Sequence, residues 1–363
     1  IKVISISAHG ATFTCIDDNG DLAIPELSYT TDPGEAFHEA FFREMGSRES
    51  LQDETCTPDF NVLLNVAKGI KFAQNTFGDQ FIQVRHILNL PQYFSYKLTG
   101  IASVDPTYVG CHTYLWDFRE NKWSAVVDRL NIRDKLPEKL LKPWDTVGNI
   151  TKQVADETVL SQDTMVTTGI HDSNASFLPH IISSDGKDFI LNSTGTWCVI
   201  MHESEKVHFN RDELGKVVFY NLSAFNSPIK TAIFMGGLEF EAYDSLIRGK
   251  AGELCTFDAS LYEDIILRNE CFILPGITRG TGQFPQSSPR VIEHGKIYPY
   301  EDSKSGKMVP ECFQDPRTAF AVLNLSLAIQ SKVSLDRVDM RHGSPLYTEG
   351  GVSNIDAVSF LAG

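Results

Sequence analysis

Residues 164–176 read TMVTTGIHDSNAS and residues 189–201 read FILNSTGTWCVIM, and these two stretches decide the fold class. In the first, 164–170 is rich in β-branched residues, the pattern of a buried strand, and it delivers His171, Asp172 and Ser173 into a run of small polar residues. In the second, two short apolar runs flank Asn192-Ser193-Thr194-Gly195-Thr196, which predicts strand, tight turn, strand. Strands of this kind mixed with helical patterns on both sides predict an α/β architecture.

Working outward, residues 1–16 alternate like a strand, Asp17-Asp18-Asn19-Gly20 is a turn signal, and 22–27 reads as a second strand, so the chain is expected to open as a β-meander. Apolar residues at Val62, Val66, Ile70 and Ala73 predict a helix over 58–77, and a second helix is expected over 88–98. On the other side lie a glycine pair at Gly236-Gly237 and a strand at 271–274. A helix follows over 316–333, with Phe320, Leu323 and Leu327 on one face. A further pair, Gly350-Gly351, precedes Asn354 and an apolar helix start.

A chain of 363 residues exceeds what one hydrophobic core usually serves, about 250–300 residues. Two domains are therefore expected, 1–185 and 186–363, meeting near Asp185-Gly186, with a cleft between them. The chain has no initiator Met, starts inside a strand pattern and ends on an apolar run, so both ends are expected to be cuts within folded structure.

With 47 acidic and 32 basic side chains the formal charge is -15, which repels nucleic-acid backbones and anionic lipid and argues against both as partners. A nucleotide ligand is still allowed, because backbone amides hold phosphate without net positive charge. The seven cysteines are scattered, with no CxxC and no close Cys/His cluster in the sequence, so neither a disulfide framework nor a zinc site is expected. No apolar run approaches the ~18 residues of a membrane span and no basic signal start is present. A cytoplasmic protein with reduced thiols is the expectation.

Four features carry candidate chemistry. Asp172, just past the end of a buried strand, stands where open α/β sheets place ligands and suits a general base, though an N-cap would look the same and the two roles are compatible. Ser193-Thr194-Gly195-Thr196 reads either as a plain hairpin turn or as a loop whose amides and hydroxyls surround phosphate, with Gly195 allowing close approach. Gly350-Gly351 with Asn354 reads either as strand-to-helix packing or as a flat floor for a purine. His9, at a strand end before Gly10, is either satisfied by a backbone carbonyl or near a ligand at the sheet edge.

Taken in order, the segments ISAHGATFTCIDDNGDL, LPQYFSYKLTG, TTGIHDSNASFLPHI, FILNSTGTWCVIM, FILPGITRGTGQFP and TEGGVSNIDAVSFLAG resemble the FGGY family of carbohydrate kinases. The resemblance implies two actin-like domains of the ribonuclease H type that close on sugar and ATP with Mg2+. It makes Asp172 the catalytic base, Gly195 and Thr196 the hairpin on ATP phosphates, and Gly350, Gly351 and Asn354 the adenosine site. On the sugar side it places His9, Gly10, Thr12 and His171, in a layout nearer rhamnulokinase and fuculokinase than xylulokinase. Thr12 stands where the rhamnulokinase pattern has Asp, and the family's opening Asp-x-Gly-Thr phosphate loop is not among these residues. The implied reaction is ATP-dependent phosphorylation of a small ketose such as rhamnulose, fuculose, xylulose or ribulose, with a homodimer as one assembly. The alternative is a non-catalytic sugar or nucleotide sensor on the same fold.

Overall fold

The computed structural model describes residues 1–210, 212–214, 216–251, 259–278 and 282–351. They form two compact units. The first is Ile1–Lys187 with Glu203–Lys230, and the second is Asp188–His202 with the described residues from Thr231 onward.

In the first unit the N-terminal strands pair in parallel with the 164–171 region: Val3–Ile4 lies on Met165–Thr167, and Ser7–Ala8 lies on Ile170–His171 with Ala8 opposite His171. The next strand, Phe13–Ile16, pairs antiparallel with His86–Asn89. The expected meander is only partly formed. A tight turn does follow Ile16, where Asp17 Oδ1 accepts the amides of Asn19 (2.8 Å) and Asp21 (3.0 Å). Beyond it, pairing stops at a single bridge, Ile16 to Leu22. Pro25 has no amide to continue such a ladder, and 23–27 runs on as irregular chain.

The helix expected from residue 58 begins at Val66 and runs to Ile82. Asn65 explains the late start: its side chain donates to the carbonyls of Pro58 (3.1 Å) and His112 (3.3 Å) and accepts the amide of Phe60 (3.2 Å). Those three bonds hold the preceding residues as a loop, since they offer its backbone a partner other than a helical turn. Val66, Ala67, Ile70 and Ala73 then enter a core with Phe13, Cys15, Phe41, Met45 and Tyr114. The second helix is Leu90–Thr99, and Leu88 belongs to the strand before it.

The second unit is built on an antiparallel hairpin, Ile190–Thr194 against Cys198–Glu203. Leu346–Gly350 adds in parallel beside the first of these strands, and Pro228–Phe234 lies beside the second. A separate antiparallel sheet carries Cys271–Leu274, Arg290–Glu293 and Lys296–Pro299 in order. The long helix is Pro316–Arg337, started by Asp315, whose Oδ1 accepts the amide of Arg317 at 3.2 Å. Length and composition would let this helix cross a membrane, contrary to the sequence expectation. Its Ala319, Phe320, Leu323 and Leu327 are instead buried in the unit's cores.

Candidate active site

Parallel pairing of Ser7–Ala8 with Ile170–His171 sends His9-Gly10 and Asp172 out of the same end of the strand pair. Asp172 is the first residue of the helix Asp172–Ser184, with His171 as the N-cap residue. The carboxylate is held by its own helix start: Oδ1 accepts the Ser173 amide at 2.6 Å. At 54% exposure the rest of the group is open to a solute. Anchoring by a helical amide and presentation to solvent therefore coexist in one side chain, as a base for an incoming hydroxyl requires.

Behind it sits a histidine pair. The His171 ring is buried, with Nε2 at 3.4 Å from Asp172 Oδ1. Burial holds its pKa below the usual imidazole value, with Asp172 pulling it up and His9 pulling it further down. His112, part-buried, faces it edge-on with ring centroids 6.3 Å apart. Burial of its nitrogens, and then the neighbouring His171, bring His112 down to about 3, so both rings are neutral near pH 7. A Cβ at Gly10 would lie 2.7 Å from His171 Nε2 and 3.1 Å from His112 Nε2. Only glycine leaves that space open.

The surrounding polar groups fix His171. Its amide donates to Thr107 Oγ1 at 3.0 Å, and that hydroxyl donates to Asp105, whose other oxygen accepts Gln92 Nε2 at 3.1 Å. Burial pushes the Asp105 carboxyl up to about 7, against the donors from Thr107, Tyr108 and Gln92 that pull it down. His9 is exposed, and its Nε2 pairs with Thr12 Oγ1 at 2.9 Å. The Thr12 carbonyl accepts the Tyr108 hydroxyl and the Leu90 amide. The first unit thus gathers His9, Gly10, Thr12, His171 and Asp172 at one strand end.

In the second unit, Gly195 and Thr196 are exposed at the hairpin tip, where the Gly195 amide donates to the Trp197 carbonyl at 2.8 Å. The glycine pair Gly236-Gly237 starts the helix Gly236–Ala251 against this tip: a Cβ on Gly237 would stand 2.0 Å from the Gly195 carbonyl oxygen. Gly350 lies opposite Thr194 in the parallel ladder, and a Cβ there would come within 1.7 Å of the Thr194 carbonyl oxygen. A Cβ on Gly351 would meet no atom of the described residues within 4 Å. The helix start at Gly236 thus stands directly against the exposed hairpin tip. Asn354 lies outside the described residues.

Sequence reasoning gave no role to His112, Thr107 or Gly237. His112 is separated from His171 by 59 positions in the chain, so only tertiary folding reveals the pair. Among the described residues, two groups of three His, Cys, Asp or Glu residues bring ligand atoms close enough to share an ion: Cys111-His112-His171 and Cys271-Glu293-Cys312. Both contain thiols and neither is the oxygen set that Mg2+ takes.

Comparison with known proteins places this architecture. Residues 186–358 match the family model described as carbohydrate kinase FGGY, C-terminal domain. A rhamnulokinase of Enterococcus faecalis is 25% identical over 202 residues, covering 54% of this chain and 38% of that protein. A rhamnulokinase of Pectobacterium atrosepticum is 25% identical over 205 residues, covering 56% and 39%. The aligned stretch thus spans less than half the length of these curated relatives. Among solved structures, a carbohydrate kinase from Novosphingobium aromaticivorans superposes with a TM-score of 0.77 at 25% identity, covering 99% of this chain and 72% of that one. A ligand-bound xylulose kinase from Lactobacillus acidophilus gives 0.75 at 15% identity, covering 100% and 70%.

The fold is the two-domain actin-like, ribonuclease H type. Within that class the chain resembles the FGGY family of carbohydrate kinases, whose C-terminal domain model matches residues 186–358, as its sequence motifs had indicated.

Proposed function

We propose that the protein transfers the γ-phosphoryl group of ATP to a hydroxyl of a small sugar, a ketose such as rhamnulose, fuculose, xylulose or ribulose, with Asp172 as the base. The observation that carries this reading is the exposed Asp172 carboxylate, anchored on the Ser173 amide beside His171 and the open face of Gly10. A loose phosphoryl-transfer transition state leaves the protein mainly to align the hydroxyl and take its proton. Asp172 accepts that proton as the new bond to phosphorus forms, and neutral ring nitrogens of His171 and His112 accept or donate hydrogen bonds to neighbouring hydroxyls. His9, held by Thr12, adds an exposed ring at the same strand end.

The hairpin tip at Gly195 and Thr196, the start of the helix at Gly236 and the chain at Gly350-Gly351 are the ATP side of the proposal. The rhamnulokinase relatives favour a ketose acceptor. Mg2+ would supply charge neutralisation on the phosphates, and no step here is routed through the ion. A cytoplasmic location belongs to this proposal, on the scattered cysteines of the sequence.

The test is an ADP-release screen of the whole protein over L-rhamnulose, L-fuculose, xylulose, ribulose and glycerol. Release that depends on one of the ketoses is expected. Sugar and ATP binding without release would favour the sensor reading, and release with no added sugar would reject sugar as the acceptor.

A further inference from the structure

We propose that Cys111, His112 and His171 form a binding site for a soft divalent cation, Zn2+, with a fourth coordination position left open. One ligand atom from each residue, thiol or ring nitrogen, lies within 4.8 Å of the other two. Zinc–sulfur and zinc–nitrogen bonds of about 2.3 and 2.0–2.1 Å put tetrahedral ligands ~3.5 Å apart, so closing this set takes side-chain movements of about an ångström. Thiolate and imidazole together select zinc over magnesium or calcium.

One further observation points to an occupant. His112 keeps Nδ1 buried toward the Leu64 backbone, so Nε2 is the nitrogen it can offer. The missing Cβ of Gly10 leaves room where His112 Nε2 and His171 Nε2 converge.

Aromatic rings wall the cluster. Phe60 and Phe219 pack on His112 at centroid distances of 6.2 and 6.3 Å, and Tyr108 packs on His171 at 5.8 Å. The Asn174 side-chain amide stands 3.5 Å from His171 Nδ1, and Thr107 holds the His171 backbone, so the ring is oriented before any ion arrives; ligation through Nε2 puts the ring proton on Nδ1, which the amide accepts through its oxygen once turned over. A sugar hydroxyl would satisfy the ring nitrogens equally, but it makes no use of a buried thiol. Binding converts the Cys111 thiol to a zinc thiolate and releases its proton to solvent. The ion would sit next to Asp172, and so would compete with the acceptor sugar; this consequence, unlike binding, rests on the functional reading above.

The experiment titrates the reduced chain with Co2+, an absorbing stand-in for zinc, and then displaces it with Zn2+. A cobalt–thiolate absorption band at one equivalent is expected, lost in Cys111→Ser and shifted to at least about tenfold weaker binding in His112→Gln. Circular dichroism checks that each variant folds, and His112→Gln carries the test if Cys111→Ser does not. No thiolate band in the folded parent chain overturns the proposal. So does a band that survives Cys111→Ser and disappears in Cys312→Ser, which would assign the ion to the Cys271-Glu293-Cys312 group. In the kinase assay of the whole protein, Zn2+ inhibition that sugar relieves supports the competition, and activity indifferent to bound Zn2+ rejects it.

Discussion

Asp172 Oδ1 lies 3.4 Å from the Nε2 of His171 while the same oxygen accepts the Ser173 amide at 2.6 Å. One carboxylate thus links a buried neutral ring to a helix start and keeps its remaining surface open. Asparagine preserves the acceptor for Ser173 but removes the basicity. Asp172→Asn in the whole protein is expected to bind ATP and sugar normally, to melt at the parent temperature, and to lose turnover by at least about a hundredfold. Steady-state kinetics showing near-parent kcat would remove Asp172 from the chemistry.

The two histidines make Gly10 the least replaceable residue at this strand end. In Gly10→Ala the new methyl would meet His171 Nε2 at 2.7 Å and His112 at 3.1 Å. Both rings are hemmed in by aromatic neighbours and one is tied through Asn174. Overpacking of this sort typically costs about 1–3 kcal/mol. The expected result is a lower unfolding midpoint in urea together with a raised KM for sugar and an unchanged KM for ATP. A variant with parent stability and parent sugar KM would show that the rings are free to move aside.

How far the sequence reached is clear from particular residues. Asp172 after a β-branched run and the hairpin at Gly195 were legible because strand, turn and helix start are local patterns, but their bounds were not: the one strand expected over 164–170 is two, Met165–Thr167 and Ile170–His171, and Ser193 and Thr194 extend the hairpin's first strand. Leu22 onward misled, since alternation is weaker than the absence of an amide at Pro25. The start of the Val66–Ile82 helix was hidden because Asn65 binds carbonyls from Pro58 and His112, and half of that contact comes from 47 residues away. His112 and Thr107 escaped for the same reason: no local pattern records which distant residue will face a given ring.

On the proposed ATP side, two glycines separate packing from binding. A Cβ at Gly237 would press on the Gly195 carbonyl oxygen at 2.0 Å, and backbone cannot rotate out of the way as a side chain does. Gly237→Ala is therefore expected to lower stability and raise the ATP KM together. A Cβ at Gly351 has no atom of the described residues within 4 Å, so Gly351→Val should leave the urea midpoint within the equivalent of about 0.5 kcal/mol. Its ATP KM should rise severalfold more than its sugar KM if this residue floors the purine. Equal rises for both substrates would reject that placement.

Asp105 gives the chain a built-in pH dependence. Its folded-state pKa is about 7, raised from 3.8 chiefly by burial, so between those values the folded chain holds a proton that the unfolded chain has released. Stability contributed by this group is present at low pH and falls as pH rises through that window, levelling above about 7. A shift of this size corresponds to up to about 4 kcal/mol. Asp105→Asn cannot ionise and still offers an acceptor to the Thr107 amide or Gln92. Urea midpoints measured between pH 4 and 8 should therefore decline more steeply in the parent chain than in the variant, whatever the variant's absolute stability. Parallel curves would mean that Asp105 ionises as readily in the folded chain as in the unfolded one, which its donors from Thr107 and Gln92 would then have to explain.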